Sequence, residues 1–166
     1  TGGTVPPECA VPTPTSPPYA MTFQFHNPSD QTLFLREECW LDFSITACAD
    51  GYTEQLELWP ACSVDCADPN GGCIACEQCL TVGIPVEPYQ SVEYSWPGLT
   101  YTFGTNADGC RCHDDHEEAA GLHRITVPVF LSAEAVELGD MAYEVPIDFP
   151  MPAHQGLVVV PLAMLM

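Results

Sequence analysis

Lysine is missing from this chain altogether, and Arg36, Arg111 and Arg124 are its only permanent cations against 23 acidic residues, for a formal charge of −20. Binding to nucleic acid through phosphates rests on Lys and Arg, so nucleic acid is excluded as a partner. A P-loop and a Schiff-base lysine go with it, because each needs the absent residue. Long apolar runs are also lacking: the longest, in GLVVVPLAMLM near the end, falls well short of the roughly 20 residues of a spanning helix. No transmembrane span is expected. HExxH, GxSxG and CxxCH do not occur, which removes the usual helical zinc-protease, serine-hydrolase and covalent-haem arrangements. No stretch has the period of a long amphipathic helix, although SAEAVELGD can make one short turn, and there is no internal repeat.

What is plentiful is acid and cysteine. A surface this acidic repels copies of itself at low salt and is relieved by screening or by divalent cations, which points to a saline or calcium-containing extracellular setting. Ten cysteines, Cys9, Cys39, Cys48, Cys62, Cys66, Cys73, Cys76, Cys79, Cys110 and Cys112, form an even set through most of the 166 residues. Two explanations compete. A thiolate zinc site would take Cys73 and Cys76 with Cys110 and Cys112, or with Cys112 and His113, but the second pair is CxC and six cysteines remain over. Disulfides use all ten and imply an oxidising compartment. Cys110 and Cys112 fall on one side of an extended segment, placed to clamp two cysteines of the Cys62–Cys79 loop, while Cys39 and Cys48 flank a strand and join its ends to neighbours.

The chain opens TGGTVPPECAVPTPTSPPYA, without an initiator Met or an apolar signal core, as a processed product would. Six prolines in residues 1–20 make an extended arm, and residues 21–166 make a single domain. From Met21 on, the pattern is of short strands: MTFQFHN, TLFLR, WLDFSITA with Leu41, Phe43 and Ile45 on one face, YTEQLELW, LTVGIPV, SVEYSW, LTYTFG, LHRITVPVFL with Ile125, Val127, Val129 and Leu131 on one face, AYEVPIDF and GLVVVPLA. Pro128, Pro146 and Pro161 mark their strands as edges or bulged. Polar, cysteine-rich loops are expected at 60–79 and 105–121. The fold class is all-β, an antiparallel immunoglobulin-like β-sandwich stapled by disulfides.

The order FQFHNPSDQTLFL, LDFSIT, VEPYQSVEYSWPG, AAGLHRITVPVF resembles the immunoglobulin-like domains of the BsuPI type, named for an intracellular proteinase inhibitor. The likeness runs from Met21 to about Leu131. It implies a β-sandwich in which a strand runs into an Asn turn and a Pro-containing turn precedes a strand ending in Trp. The chain departs from that pattern in its two cysteine-rich insertions, in Tyr89 and Gln90 where Gly and Glu are usual, and in having no lysine. No reactive-site residue matches, so protease inhibition is not carried over.

The densest chemistry is HDDHEEAAGLH, which gathers His113, Asp114, Asp115, His116, Glu117, Glu118 and His123. Imidazole with carboxylate suits zinc or copper, and the carboxylates alone suit calcium; a solvated acidic loop is the plain alternative. DCADPNGG, residues 65–72, is rich in oxygen but lacks EF-hand spacing. Trp40, Trp59 and Trp96 can line a sugar-binding face or fill a core, with Trp59 facing outward by its phase. Met151, Met164 and Met166 near His154 give a faint copper pattern, and His26 stands alone. The apolar end, VVVPLAMLM, either closes the sandwich or pairs with another chain.

These features lead to a secreted or cell-surface protein, bacterial in setting, that binds or assembles rather than catalyses. Its partner is another protein or itself, and a lipid or surface tether can lie upstream of residue 1. The alternatives are a subunit of an extracellular filament, joined by strand or arm exchange, and a metal-binding protein using residues 113–123.

Overall fold

A computed structural model of the chain describes residues 5–164. Thr1–Thr4 of the arm, and Leu165 and Met166 of the apolar end, lie outside the described residues. Among the described residues there are twelve strands: β1 (Met21–His26), β2 (Leu33–Glu38), β3 (Trp40–Leu41), β4 (Ser44–Ala47), β5 (Val64–Asp65), β6 (Val82–Val86), β7 (Ser91–Trp96), β8 (Leu99–Thr105), β9 (Arg111–Glu117), β10 (Gly121–Val129), β11 (Tyr143–Met151) and β12 (Leu157–Pro161). A short helix, α1 (Ala133–Leu138), is capped by Ser132 Oγ, which accepts from the Ala135 N–H, and ends at Gly139.

The strands form four small sheets in the orders β12-β1-β7, β11-β10-β4, β3-β2-β6 and β5-β9-β8. Phe34 and Phe130 exchange both backbone hydrogen bonds at 2.9 Å, which joins β2 to the end of β10. The first two sheets pack face to face. Phe23 of β1 meets Phe149 of β11 edge-on at 5.4 Å and Phe43 at 5.5 Å, favourable geometries for aromatic quadrupoles. Strict alternation produces this: Met21, Phe23 and Phe25 are buried from one side, and His123, Ile125, Val127 and Val129 from the other.

WLDFSITA keeps its expected face, with Leu41, Phe43 and Ile45 all buried, but it is not one strand. β3 pairs with β2 and β4 pairs with β10, so the segment changes sheets at Asp42 and Phe43. YTEQLELW also differs from expectation. Its only ladder contact is a bridge from Gln55 to Thr46, although Leu58 is buried. Leu131 leaves the face assigned to it because Val129 and Phe130 are both buried, and the phase slips as the strand ends.

The prolines resolve differently. Pro146 and Pro161 lie on the edge strands β11 and β12, as expected, but Pro128 lies in β10, which is central. Period two puts its nitrogen on the side where Phe130 bonds Phe34. Pairing with β4 stops at Thr126, so Pro128 occupies the gap between β4 and β2 where no donor is needed.

Two turns set the ends of this frame. Asn27, fully buried after β1, donates from Nδ2 to the carbonyls of Gln31 (2.7 Å) and Val86 (2.8 Å), and its Oδ1 accepts from the Ser29 N–H and Oγ. Glu87-Pro88-Tyr89-Gln90 closes with Gln90 N–H donating to Glu87 C=O at 3.0 Å, with Tyr89 at φ 61°. Pro second and positive φ third describe a type II turn, whose third position favours Gly. Tyr89 is well exposed, so its side chain contributes little packing. Tyr89→Gly is expected to stabilise the fold by about 0.5–1 kcal/mol by removing left-handed strain, read as a raised Tm in thermal denaturation.

Candidate functional site

The region that combines the cysteines with the His and carboxylate residues is the β8–β9 hairpin and the flap of residues 60–79 lying on it. β9 pairs with β8 along its whole length, from Leu99 opposite Glu117 to Thr105 opposite Arg111. The stretch expected as loop 105–121 is therefore largely strand. Its polar residues on both faces carry no apolar period, so the pattern could not announce it.

The flap has almost no ladder of its own. β5 adds two residues in parallel to β9, Val64 opposite Cys112, and the Cys66 N–H donates to His113 C=O at 2.8 Å. Four disulfides hold the flap: Cys39–Cys79, Cys62–Cys76, Cys66–Cys112 and Cys73–Cys110, with Cα separations between 4.9 and 5.7 Å that suit the linkage. Cys110 and Cys112 do clamp two cysteines of the loop, and Cys39 and Cys48 do tie strand ends to neighbours, Cys48 through Cys9 of the arm. All ten cysteines are paired, so the zinc alternative has no thiolates to use. Gly104 faces Cys112 across the hairpin, 3.9 Å from Cys112 Sγ at the position a Cβ would take, an ordinary contact with the Cys66–Cys112 bridge. Asn106 fastens the hairpin turn, accepting from the Asp108 and Cys110 N–H groups and donating to Gly72 C=O at 2.6 Å.

The His and carboxylate cluster does not converge. Alternation along β9 puts Cys112, Asp114 and His116 on one face and His113, Asp115 and Glu117 on the other. His113 turns under the flap, where Nδ1 lies 2.7 Å from Ser63 Oγ, the same hydroxyl that donates to Pro60 C=O, and its ring meets Tyr101 edge-on at 5.6 Å. Burial, and then the Asp115 carboxylate, push the Tyr101 hydroxyl above its ordinary pKa. His116 bonds Thr102 Oγ1 at 2.9 Å on the opposite face.

His123 is elsewhere, buried on β10 with Nδ1 donating to Gly121 C=O at 2.9 Å and Nε2 lying 2.8 Å from Glu118 Oε2. Both ring nitrogens thus face oxygens of the protein and are turned away from any shared ligand. Among the described residues, no three His, Cys, Asp or Glu side chains come together as a metal site. Each member of the expected set is committed to a nearer partner or points to water. In DCADPNGG, Asp65 and Asp68 turn their carboxylates back onto the N–H groups of Ala67 and Asn70, both at 2.9 Å, as ordinary Asx turns do.

The tryptophans divide. Trp96 is fully buried, its Nε1–H donating to Leu99 C=O at 3.0 Å. Trp59 is not outward on a strand: it stacks on Trp40 at 5.5 Å and meets Phe43 and Tyr94 in T-shaped contacts. Met151 is buried whereas His154 and Met164 are exposed, and His26 bonds Ser91 Oγ. Ser63 and Asn106 had no signal beyond the turn-like composition of their segments, and Tyr101 none beyond its place in the strand LTYTFG.

These features define a disulfide-stapled, mostly β protein in which cysteines, Ser63, His113 and Asn106 hold a flap to a hairpin, while His116 and the His123–Glu118 pair bond elsewhere. Comparison with family models, with curated proteins and with solved structures finds no match to this chain. No helix among the described residues is long and apolar enough to cross a membrane.

Proposed function

We propose that this chain is a secreted or cell-surface, non-enzymatic binding or assembly protein of bacterial setting, built on an immunoglobulin-like β-sandwich. The observation that carries the reading is the closure of all ten cysteines into five disulfides, four of which serve the flap. Such a segment has too little core to persist in a reducing compartment. Two facing sheets with Phe23, Phe43 and Phe149 between them favour the sandwich, and the mutually bonded polar groups of the hairpin favour a rigid display surface over a reaction centre. In this reading the partner is a protein, met on a preformed surface.

The test is the intact mass of the unreduced protein, with and without alkylation, under denaturing conditions that strip metals. No thiol should react, and the mass should rise by ten hydrogens on reduction, two for each of the five disulfides. Alkylation of four thiols in the unreduced protein would sink the reading and return a thiolate metal site.

A further inference from the structure

Every acidic and arginine residue of the chain lies at position 8 or between positions 30 and 148. Residues 9–29 and 149–166 hold none, and the fold lays these two charge-free stretches side by side. β12 pairs in parallel with β1 along five residues, from Thr22 opposite Leu157 to His26 opposite Pro161. The outer face of their sheet presents Leu157, Val159 and Pro161 beside Thr22, Gln24 and His26, then Ser91, Glu93 and Ser95 of β7. Glu93, on the far strand, is the only formal charge among these nine. Leu157 is 43% and Val159 50% exposed. The surface continues into an uncharged groove of about 660 Å³ between the arm and the turn before β12, lined by Pro12, Pro14, Tyr19, Pro150, Pro152 and His154 among others.

We propose that two copies of this chain associate through this face. A partner recognised by charge would go to the acidic remainder of the surface. What a neutral face admits is a body as acidic as itself, because two molecules of charge −20 repel least where neither carries charge. The contact is between faces rather than by strand addition. The Leu162 N–H bonds His26 C=O, so the alternate residues Leu157, Val159 and Pro161 turn their backbone groups to the open edge. The Leu157 N–H is already given to His154 C=O and Pro161 has none, so among the described residues Val159 is the one on this edge with both groups unpaired, which blunts the edge. Strand exchange into a filament is disfavoured by the same feature.

The inference rests on the binding-or-assembly reading above and is tested separately from it, by sedimentation velocity of the purified, unreduced protein over rising protein and salt concentration. The expected result is a monomer at low salt that shifts to dimer as screening increases, opposite to an association held by ion pairs. Val159→Asp and Leu157→Glu should each weaken dimerisation at least about tenfold while leaving far-UV circular dichroism and Tm near those of the parent protein. Leu138→Asp adds the same charge at an exposed site on α1, outside the face, and should leave dimerisation nearly unchanged. A protein that stays monomeric up to millimolar concentration at every salt overturns the proposal, as does a dimer indifferent to Val159→Asp or equally sensitive to Leu138→Asp. If alkylation finds every cysteine closed and the protein is still monomeric, only the self-association fails.

Discussion

Asn27→Asp should lower stability by about 4 kcal/mol at neutral pH, a large part of the 5–15 kcal/mol typical of a domain. The residue is fully buried, and its amide group donates to two carbonyls, Gln31 at 2.7 Å and Val86 at 2.8 Å. A carboxylate there would set oxygen against oxygen in both contacts while losing its own hydration. The backbone adds to the consequence, since Asn27 N–H bonds Gln90 C=O at 2.9 Å. One residue thus ties the end of β1 to the end of β6 through its side chain and to the start of β7 through its backbone. Desolvation raises the pKa of the introduced acid in the folded state. The deficit therefore shrinks as pH falls through that raised value, because the protonated acid can donate one of the two lost bonds. Urea titrations of the unreduced protein at two pH values measure both effects. Asn27→Ala, which leaves the carbonyls unpaired without adding charge, should cost less, about 2–3 kcal/mol. Equal losses for Asp and Ala at neutral pH would mean that the two amide donations carry no special weight.

Gly98→Ala is the second large effect, on the order of 3–4 kcal/mol. Gly98 lies in the turn between Trp96 and Leu99 with φ 77°, and a Cβ there would stand 2.5 Å from the Tyr19 carbonyl oxygen and 2.7 Å from its carbon. Backbone is the obstacle, so no rotamer change relieves the clash. Moving Tyr19 would disturb the approach to β1, and the Glu118 N–H that bonds Gly98 C=O at 3.0 Å would shift as well. Gly109→Ala supplies the control. Gly109 has φ 78° with nothing within 4 Å of the same Cβ position, so it should show only the left-handed penalty of about 1–2 kcal/mol. Thermal denaturation of both variants isolates the packing contribution, and equal Tm shifts would remove the steric argument.

Strands were legible where one face met the core and the other met water. In MTFQFH the alternation around Phe23 and Phe25, and in LHRITVPVFL the face of Ile125, Val127 and Val129, read correctly because burial on one side writes period two into the chain, whereas His123, expected among the metal ligands, shares that buried face. The same logic misplaced β9. Arg111–Glu117 is held by its ladder to β8 and by the flap's disulfides, so no apolar alternation is required of it. The change of sheets inside WLDFSITA was equally hidden, since Leu41, Phe43 and Ile45 keep one face while their backbone changes partners. Pro128 misled in the opposite direction, because a central strand tolerates proline wherever its neighbour happens to stop.

By itself the sequence determined the all-β character, the lack of any lysine chemistry, and an even set of cysteines suited to oxidation, because composition and period are properties of the chain alone. Only the tertiary structure decided which cysteines meet, that the residues from His113 to His123 divide among two strand faces and a buried pair instead of forming one site, and that two distant uncharged stretches share a surface. Pairing and proximity depend on where the chain returns in space, and no local pattern records that.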